Sequence, residues 1–170
     1  MEEREQRVYD FLKSAGIPYE RFDHHDEPGE NMEICRKLEK RIGAPIPKNL
    51  FLCNRQQTVF YLLLMPGDKP FKTKEISAQI NSARLSFASP EQMVSLLDTA
   101  PGAASLMSLI NDAENRVNLL VDEDLLCNEY LGCHPCVNTA TLKLASADAF
   151  GRYLEAVHHG MKTVQLKGCD

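Results

Sequence analysis

The 170-residue sequence predicts an α/β fold in which helices flank a mixed sheet. Three observations carry that expectation. Segments with helical periodicity alternate with short apolar runs along the whole chain. The run 59–65 is apolar on both faces, as a central strand is. Glycine, proline and serine signals punctuate the boundaries between these segments. No repeat, low-complexity stretch or long linker intervenes, so residues 1–170 are expected to form one domain around a single core.

The elements follow in order. Val8, Phe11, Leu12 and Ala15 fall at i, i+3, i+4 and i+7, which predicts a helix over Glu3–Ala15 ended by Gly16 and Pro18. A short strand is expected near 19–23, then a loop through His24, His25 and Pro28. Asn31 is placed to cap a second helix that runs to Ile42 and stops at Gly43 and Pro45. Cys35, Leu38 and Ile42 form its inner stripe, and Arg36, Lys37, Lys40 and Arg41 its outer face. Runs 50–53 and 59–65, separated by polar residues 54–57, read as a hairpin. Pro66-Gly67-Asp68 is a turn, 74–80 a short helix and 84–87 a further strand. Ser89-Pro90-Glu91-Gln92 opens a helix, with a serine cap, proline in the first turn and glutamine at the third position. Met93, Leu96 and Leu97 face inward from it. Strands are expected over 105–110, 117–121 and 140–144. A last helix begins at Ser146, carries Phe150, Leu154 and Val157, and precedes a terminal strand over 163–166.

Composition narrows the function classes. Hydrophobic residues make up 44% and charged residues 25%, the balance of a water-soluble globular chain. No apolar run approaches the roughly 20 residues that span a bilayer, and the opening MEEREQRVYD is too charged for a signal peptide. A cytoplasmic protein without a membrane partner is therefore expected. Six cysteines are too sparse for a disulfide scaffold, so thiols are expected, with Cys35 and Cys53 packed in apolar surroundings. The net charge of −5 hides a segregation. Residues 36–84 carry ten basic against three acidic side chains, a balance of +7, while the rest of the chain stands at −12. That pattern suits one face for a polyanion and one that stays solvated.

Three segments hold groups that could do chemistry. Lys48-Asn49 opens an apolar strand. Gly132-Cys133-His134-Pro135-Cys136-Val137-Asn138-Thr139 is a polar segment held in a fixed path by glycine and proline, where successive backbone N–H groups can converge on an oxyanion. Lys69-Pro70-Phe71-Lys72-Thr73-Lys74 sets three cations around one aromatic ring, a composition open to phosphate binding or to plain solvation. The low aromatic content near the basic segment favours phosphate contacts over base stacking.

Taken together and in this order, the Lys-Asn pair, the hairpin strand ending in Pro-Gly-Asp and the Gly-Cys-His-Pro-Cys-Val-Asn-Thr segment resemble the YbaK-like, prolyl-tRNA-synthetase-associated editing domains. The likeness is nearest to the freestanding PrdX-like deacylases of alanyl-tRNA(Pro), and it spans nearly the whole chain. It implies a YbaK-like fold with a mixed, partly barrel-like sheet. It also implies hydrolysis of the ester between a wrong amino acid and tRNA(Pro), with no metal or other cofactor. Mischarged tRNA(Pro) is then the partner, and prolyl-tRNA synthetase a further candidate. Carried onto this sequence, the resemblance assigns catalysis to Lys48, Gly132 and His134, and substrate binding to Asn49, Cys133, Pro135 and Asn138. Lys69, Lys72, Lys74 and Arg84 are the expected tRNA contacts. Lys48 would fix the terminal adenosine or the ester, amides from Gly132 to His134 would cradle the carbonyl oxygen, and Asn49, His134 and Asn138 would orient amine, hydroxyl or water. Cys133 and Cys136 stand where many relatives carry other residues.

Other readings compete. Cys133-His134-Pro135-Cys136 is a C-x-x-C, as in thiol-redox proteins, although it runs into an alternating strand pattern rather than a helix. Cys127, Cys133, Cys136 and His134 could be read as a zinc set, but only one C-x-x-C pair is present. A module that holds tRNA or senses proline without turnover would use the same surface. The pairs His24-His25 and His158-His159 are expected at the surface.

Overall fold

The structure, a computed structural model, describes residues 2–24, 32–99 and 102–167. The expected helix cap Asn31 and the loop residues His25 and Pro28 lie outside them. Helices α1 (Glu3–Ala15), α2 (Met32–Ile42), α3 (Thr73–Gln79), α4 (Pro90–Leu97) and α5 (Tyr153–Ala156) interleave with eight strands, β1 (Glu20–Asp23), β2 (Lys48–Cys53), β3 (Phe60–Met65), β4 (Ser86–Phe87), β5 (Val117–Asp122), β6 (Tyr130–Cys133), β7 (Ala140–Ala145) and β8 (Met161–Val164). No helix among the described residues is long and apolar enough to cross a membrane.

Two open sheets result. β1, β7 and β6 form an antiparallel sheet in that order, and β4-β2-β3-β5-β8 form a mixed one. The hairpin β2–β3 is antiparallel in a register running from Lys48↔Met65 to Cys53↔Phe60. β5 then lies parallel to β3, and β8 parallel to β5. β3, flanked on both edges, obeys the period-2 rule: Phe60, Leu62 and Leu64 enter the larger core, while Leu63 and Met65 enter a second core beneath α3. The larger core joins one face of the mixed sheet to α1, α4, α5 and the antiparallel sheet. A third cluster, Leu38, Ile42, Ala44 and Ile46, fixes α2 and the segment after it.

Local signals explain the ends. Gly16 takes a left-handed conformation, which lets the Ile17 amide reach the Leu12 carbonyl at 2.9 Å and close α1. Ser89 and Gln92 make a reciprocal capping box at the start of α4. The expected strand over 105–110 is instead a 3-10 helix, Leu106–Asn111. Ser105 and Ser108 exchange hydrogen bonds across its first turn, and Leu106, Met107 and Leu109 are all buried, so the apolar run alone did not separate strand from helix. Gly132 and Cys133, expected in a loop, belong to strand β6. The terminal strand is Met161–Val164, earlier than expected. The last helix does begin at Ser146, but passes through a π-turn at Asp148–Arg152 before α5.

One member of each histidine pair expected at the surface departs from that, while His158 is exposed as expected and His25 lies outside the described residues. His24 is buried, and so is His159, whose Nε2 lies 2.9 Å from the Asp112 carboxylate while Nδ1 faces the Val157 carbonyl. The same carboxylate accepts the amides of Arg116 and Val117, which ties the last helix to the start of β5.

Candidate active site

A cavity of about 710 Å³ opens between α2, the start of β2 and the residues that follow β6. Lys48, Asn49 and His134 line it together, with Ile46, Pro66 and Asp68 near the hairpin ends and Met93 from α4. Lys48 and Asn49 reach it because β2 begins where the chain leaves the tight segment 43–47 after α2.

That segment is held by Gly132. Its amide donates to the Pro45 carbonyl at 2.8 Å. A Cβ on Gly132 would sit 2.9 Å from Ile46 Cγ1 and 3.0 Å from Ile42 Cδ1, so any side chain there would force those two isoleucines to shift. The expectation that the Gly132 amide serves an oxyanion is therefore corrected: that donor is already used, and Gly132 does not line the cavity. Glu39 contributes from α2 by accepting the Ile46 amide at 2.9 Å.

Lys48 extends its ammonium to the Lys69 carbonyl at 2.7 Å. Lys69 is itself clamped, its Nζ lying 2.8 Å from Asp122, 2.6 Å from Asp124 and 2.7 Å from the Leu166 carbonyl. Burial works against its charge, yet these two carboxylates raise its proton affinity above the ordinary lysine value. Lys69 was expected to touch tRNA; with every donor engaged on protein acceptors it is a structural lysine. The Asn49 amide nitrogen donates to the Pro47 carbonyl at 3.0 Å, while Oδ1 is buried with no partner among the described residues. A buried acceptor left unpaired is rare in a native fold.

His134 is 4% exposed. Its Nδ1 lies 3.2 Å from both the Ala140 carbonyl and the Thr141 hydroxyl. A carbonyl only accepts, so the network assigns the proton to Nδ1 and leaves Nε2 as an acceptor. Burial pushes the imidazole down to about 4, partly opposed by the Ala140 carbonyl and reinforced by His24. At neutral pH His134 is uncharged. Thr141 continues the chain to His24, whose Nε2 is 2.8 Å from the same hydroxyl, and the His24 amide donates to the Thr139 carbonyl.

The remaining expected substrate residues stand apart. Cys133, Pro135 and Cys136 are buried and absent from the cavity wall. Burial pushes the thiols of Cys133 and Cys136 up to about 12 and about 11, and both are free. Those are packed, unreactive thiols, contrary to redox use. No group of three potential metal ligands occurs among the described residues, and the exposed Cys127 bonds only the Glu123 carbonyl. Asn138 is half-buried, and its side chain reaches Gly102.

Gly102 and Ala104 do line the cavity, and the sequence reading passed over them. The available signal was the small-residue run Gly102-Ala103-Ala104-Ser105, which lets backbone approach a ligand, with Gly102 at φ +85. Ser105 anchors this stretch by donating to the His134 carbonyl. Lys72, Lys74 and Arg84 cluster elsewhere, around α3 and β4.

A family model described as an aminoacyl-tRNA editing domain matches residues 29–150, a span that contains Lys48, Asn49 and His134. The chain is 28% identical over 161 residues to the prolyl-tRNA editing protein ProX of Acetoanaerobium sticklandii, covering 95% of this chain and 96% of that one. It is 29% identical over 156 residues to prolyl-tRNA synthetase associated domain-containing protein 1 of Danio rerio, covering 91% and 83%. Both matches take in nearly the full length, so the likeness is not confined to a fragment. A crystal structure described as a proposed trans-editing enzyme for prolyl tRNA synthetase superposes with a TM-score of 0.74 over 98% of this chain and 99% of that one. At 16% identity that agreement speaks for the fold alone.

Proposed function

The chain belongs to the aminoacyl-tRNA editing domain family, and on that premise we propose that it hydrolyses the ester of mischarged tRNA(Pro), alanyl-tRNA(Pro) first among them. The names of the relatives from Acetoanaerobium sticklandii and Danio rerio support the tRNA(Pro) assignment. The single observation that carries the reading is one cavity lined together by Lys48, Asn49 and neutral His134.

In the reaction, a water oxygen adds to the ester carbon, the bond to the ribose oxygen breaks, and that oxygen takes a proton. The products are the free amino acid and intact tRNA. An aminoacyl ester is already activated, so positioning and electrostatics suffice without a covalent nucleophile. Lys48, steadied on the Lys69 carbonyl, faces the terminal ribose and the developing negative charge. Asn49 Oδ1 accepts from the substrate α-ammonium. His134 Nε2 accepts from the attacking water or a ribose hydroxyl. Backbone at Gly102 and Ala104, rather than at Gly132, supplies the close wall against the ester. Lys72, Lys74 and Arg84 contact phosphates. Editing is needed because a synthetase pocket discriminates one missing methylene by only about 1–3 kcal/mol, whereas a tighter second pocket rejects proline by size. This role calls for a cytoplasmic protein working alongside prolyl-tRNA synthetase.

The test is a multiple-turnover deacylation panel with Ala-, Cys-, Ser- and Pro-charged tRNA(Pro). Rapid release of alanine with proline spared supports the reading. Stoichiometric binding without turnover would replace it with a tRNA-holding module.

A further inference from the structure

The site deepened here is the nucleic-acid contact surface, and the inference rests on the tRNA reading above. On the opposite edge of the mixed sheet from β8, two shallow depressions share Phe71, Thr73 and Arg84. One adds Arg55 and Phe87, the other Lys72, Lys74 and Ser77. Neither is lined by an aspartate or glutamate. Among the described residues, Arg55, Lys72, Lys74 and Arg84 form no ion pair, in contrast to the clamped Lys69. The acidic residue of α3, Glu75, is turned to the Lys167 amide at 2.8 Å. Ser77 Oγ, from a residue lining the second depression, is buried and without a partner among the described residues.

An aromatic pair occupies the middle of these cations. Phe71 and Phe87 meet edge to face with ring centroids 5.8 Å apart, and Phe87 is 63% exposed. A phenylalanine displayed to that extent on a two-residue edge strand, backed by a second ring and ringed by unpaired cations, has the chemistry of a stacking platform with phosphate anchors. The platform is joined to the cavity by β2. Leu52 pairs with Phe87 at one end of that strand and Lys48 opens the other, about 13 Å away at roughly 3.3 Å per residue. Lys48 and Leu52 also share one face of β2 by period 2.

The geometry points to a binding site for the unpaired nucleotides that precede the charged 3′-terminal adenosine: a base stacks on Phe87, and Arg55, Lys72, Lys74 and Arg84 hold the phosphates. The aromatic content of the sequence favours phosphate contacts over base stacking as the main tRNA contact; the platform adds a stacked base to them, because β4 brings Phe87 against Phe71.

The experiment measures binding of a short, fluorescently labelled unpaired RNA ending in the tRNA 3′ sequence, alongside KM for mischarged tRNA(Pro). Phe87→Ala is expected to weaken RNA binding about tenfold and to raise KM similarly, while Phe87→Tyr retains both. Arg84→Ala is expected to lower the slope of log affinity on log salt by about 1. Val94→Ala, an exposed change on α4, serves as the control that moves neither. Phe87→Ala binding the RNA as wild type does would overturn the platform, as would wild type preferring a blunt duplex to the unpaired strand. Phe87-dependent RNA binding by a protein that hydrolyses no ester would uphold the site and sink the deacylase reading instead.

Discussion

The imidazoles of His24 and His134 lie 6.0 Å apart between ring centroids and are joined through one hydroxyl, that of Thr141. Thr141 is fully buried, and its two histidine partners come from segments more than a hundred residues apart in sequence. The pair fixes the ring that lines the cavity. Thr141→Val keeps the shape and removes the hydroxyl. Deacylation kcat is expected to fall about tenfold with little change in KM, because the ring is misdirected rather than lost. Steady-state kinetics on alanyl-tRNA(Pro) check this, and a variant with unchanged kcat would refute it.

The low proton affinity of His134 makes stability depend on pH. Above about 6.5 both folded and unfolded chains hold it neutral. Between 6.5 and about 4 the unfolded chain binds a proton that the folded one refuses, so acidification favours unfolding. At roughly 1.4 kcal/mol per pH unit, that interval amounts to about 3 kcal/mol. Urea unfolding at pH 7 and pH 5 should show the loss, and His134→Asn should flatten it.

Lys69 should behave as a positioning residue for Lys48. Lys69→Ala leaves Asp122, which is 0% exposed, without its cation, and is expected to cost about 3–5 kcal/mol of stability. The Lys69→Ala, Asp122→Asn double variant should recover part of that stability yet keep a depressed kcat, since the carbonyl that steadies Lys48 is no longer anchored. Lys48→Ala should remove deacylation about 100-fold or more while leaving the melting temperature nearly unchanged. Denaturation midpoints read beside kcat separate the two lysines.

The C-x-x-C motif should be chemically quiet. Cys133 and Cys136 are buried with proton affinities well above the usual thiol range, so at pH 7.5 alkylation should mark the exposed Cys127 far ahead of either. Mass mapping after brief iodoacetamide treatment provides the order. Insulin reduction above background would contradict it.

Gly132→Ala should destabilise by about 1–3 kcal/mol, because the new methyl group meets Ile46 and Ile42. Thermal melting measures it.

Much of this organisation was readable from local pattern. The first helix, the hairpin, the serine cap at Ser89 and the pairing of Lys48 with Asn49 at a strand head all rest on neighbours within a few residues. What escaped depends on distant partners. Lys69 looks like any surface lysine until Asp122, 53 positions away, takes its ammonium. His159 looks exposed until Asp112, 47 positions away, meets it in the interior. The 3-10 turn after Ser105 was hidden because an apolar run buried on all sides carries no period. Gly102 and Ala104 were missed since small residues signal only the space they leave.

The hairpin register sets a further condition. Six consecutive pairs align β2 with β3, and along β2 the side chains alternate between two interiors of different character. Slipping that alignment by a single residue, as an insertion in the connecting turn at 54–59 would do, drives the lysine ammonium toward the apolar centre and turns Phe51 toward the opposite layer. Frame-preserving indels in this short bend are thus predicted to be as damaging as losing the lysine itself, although no residue there lines the cavity.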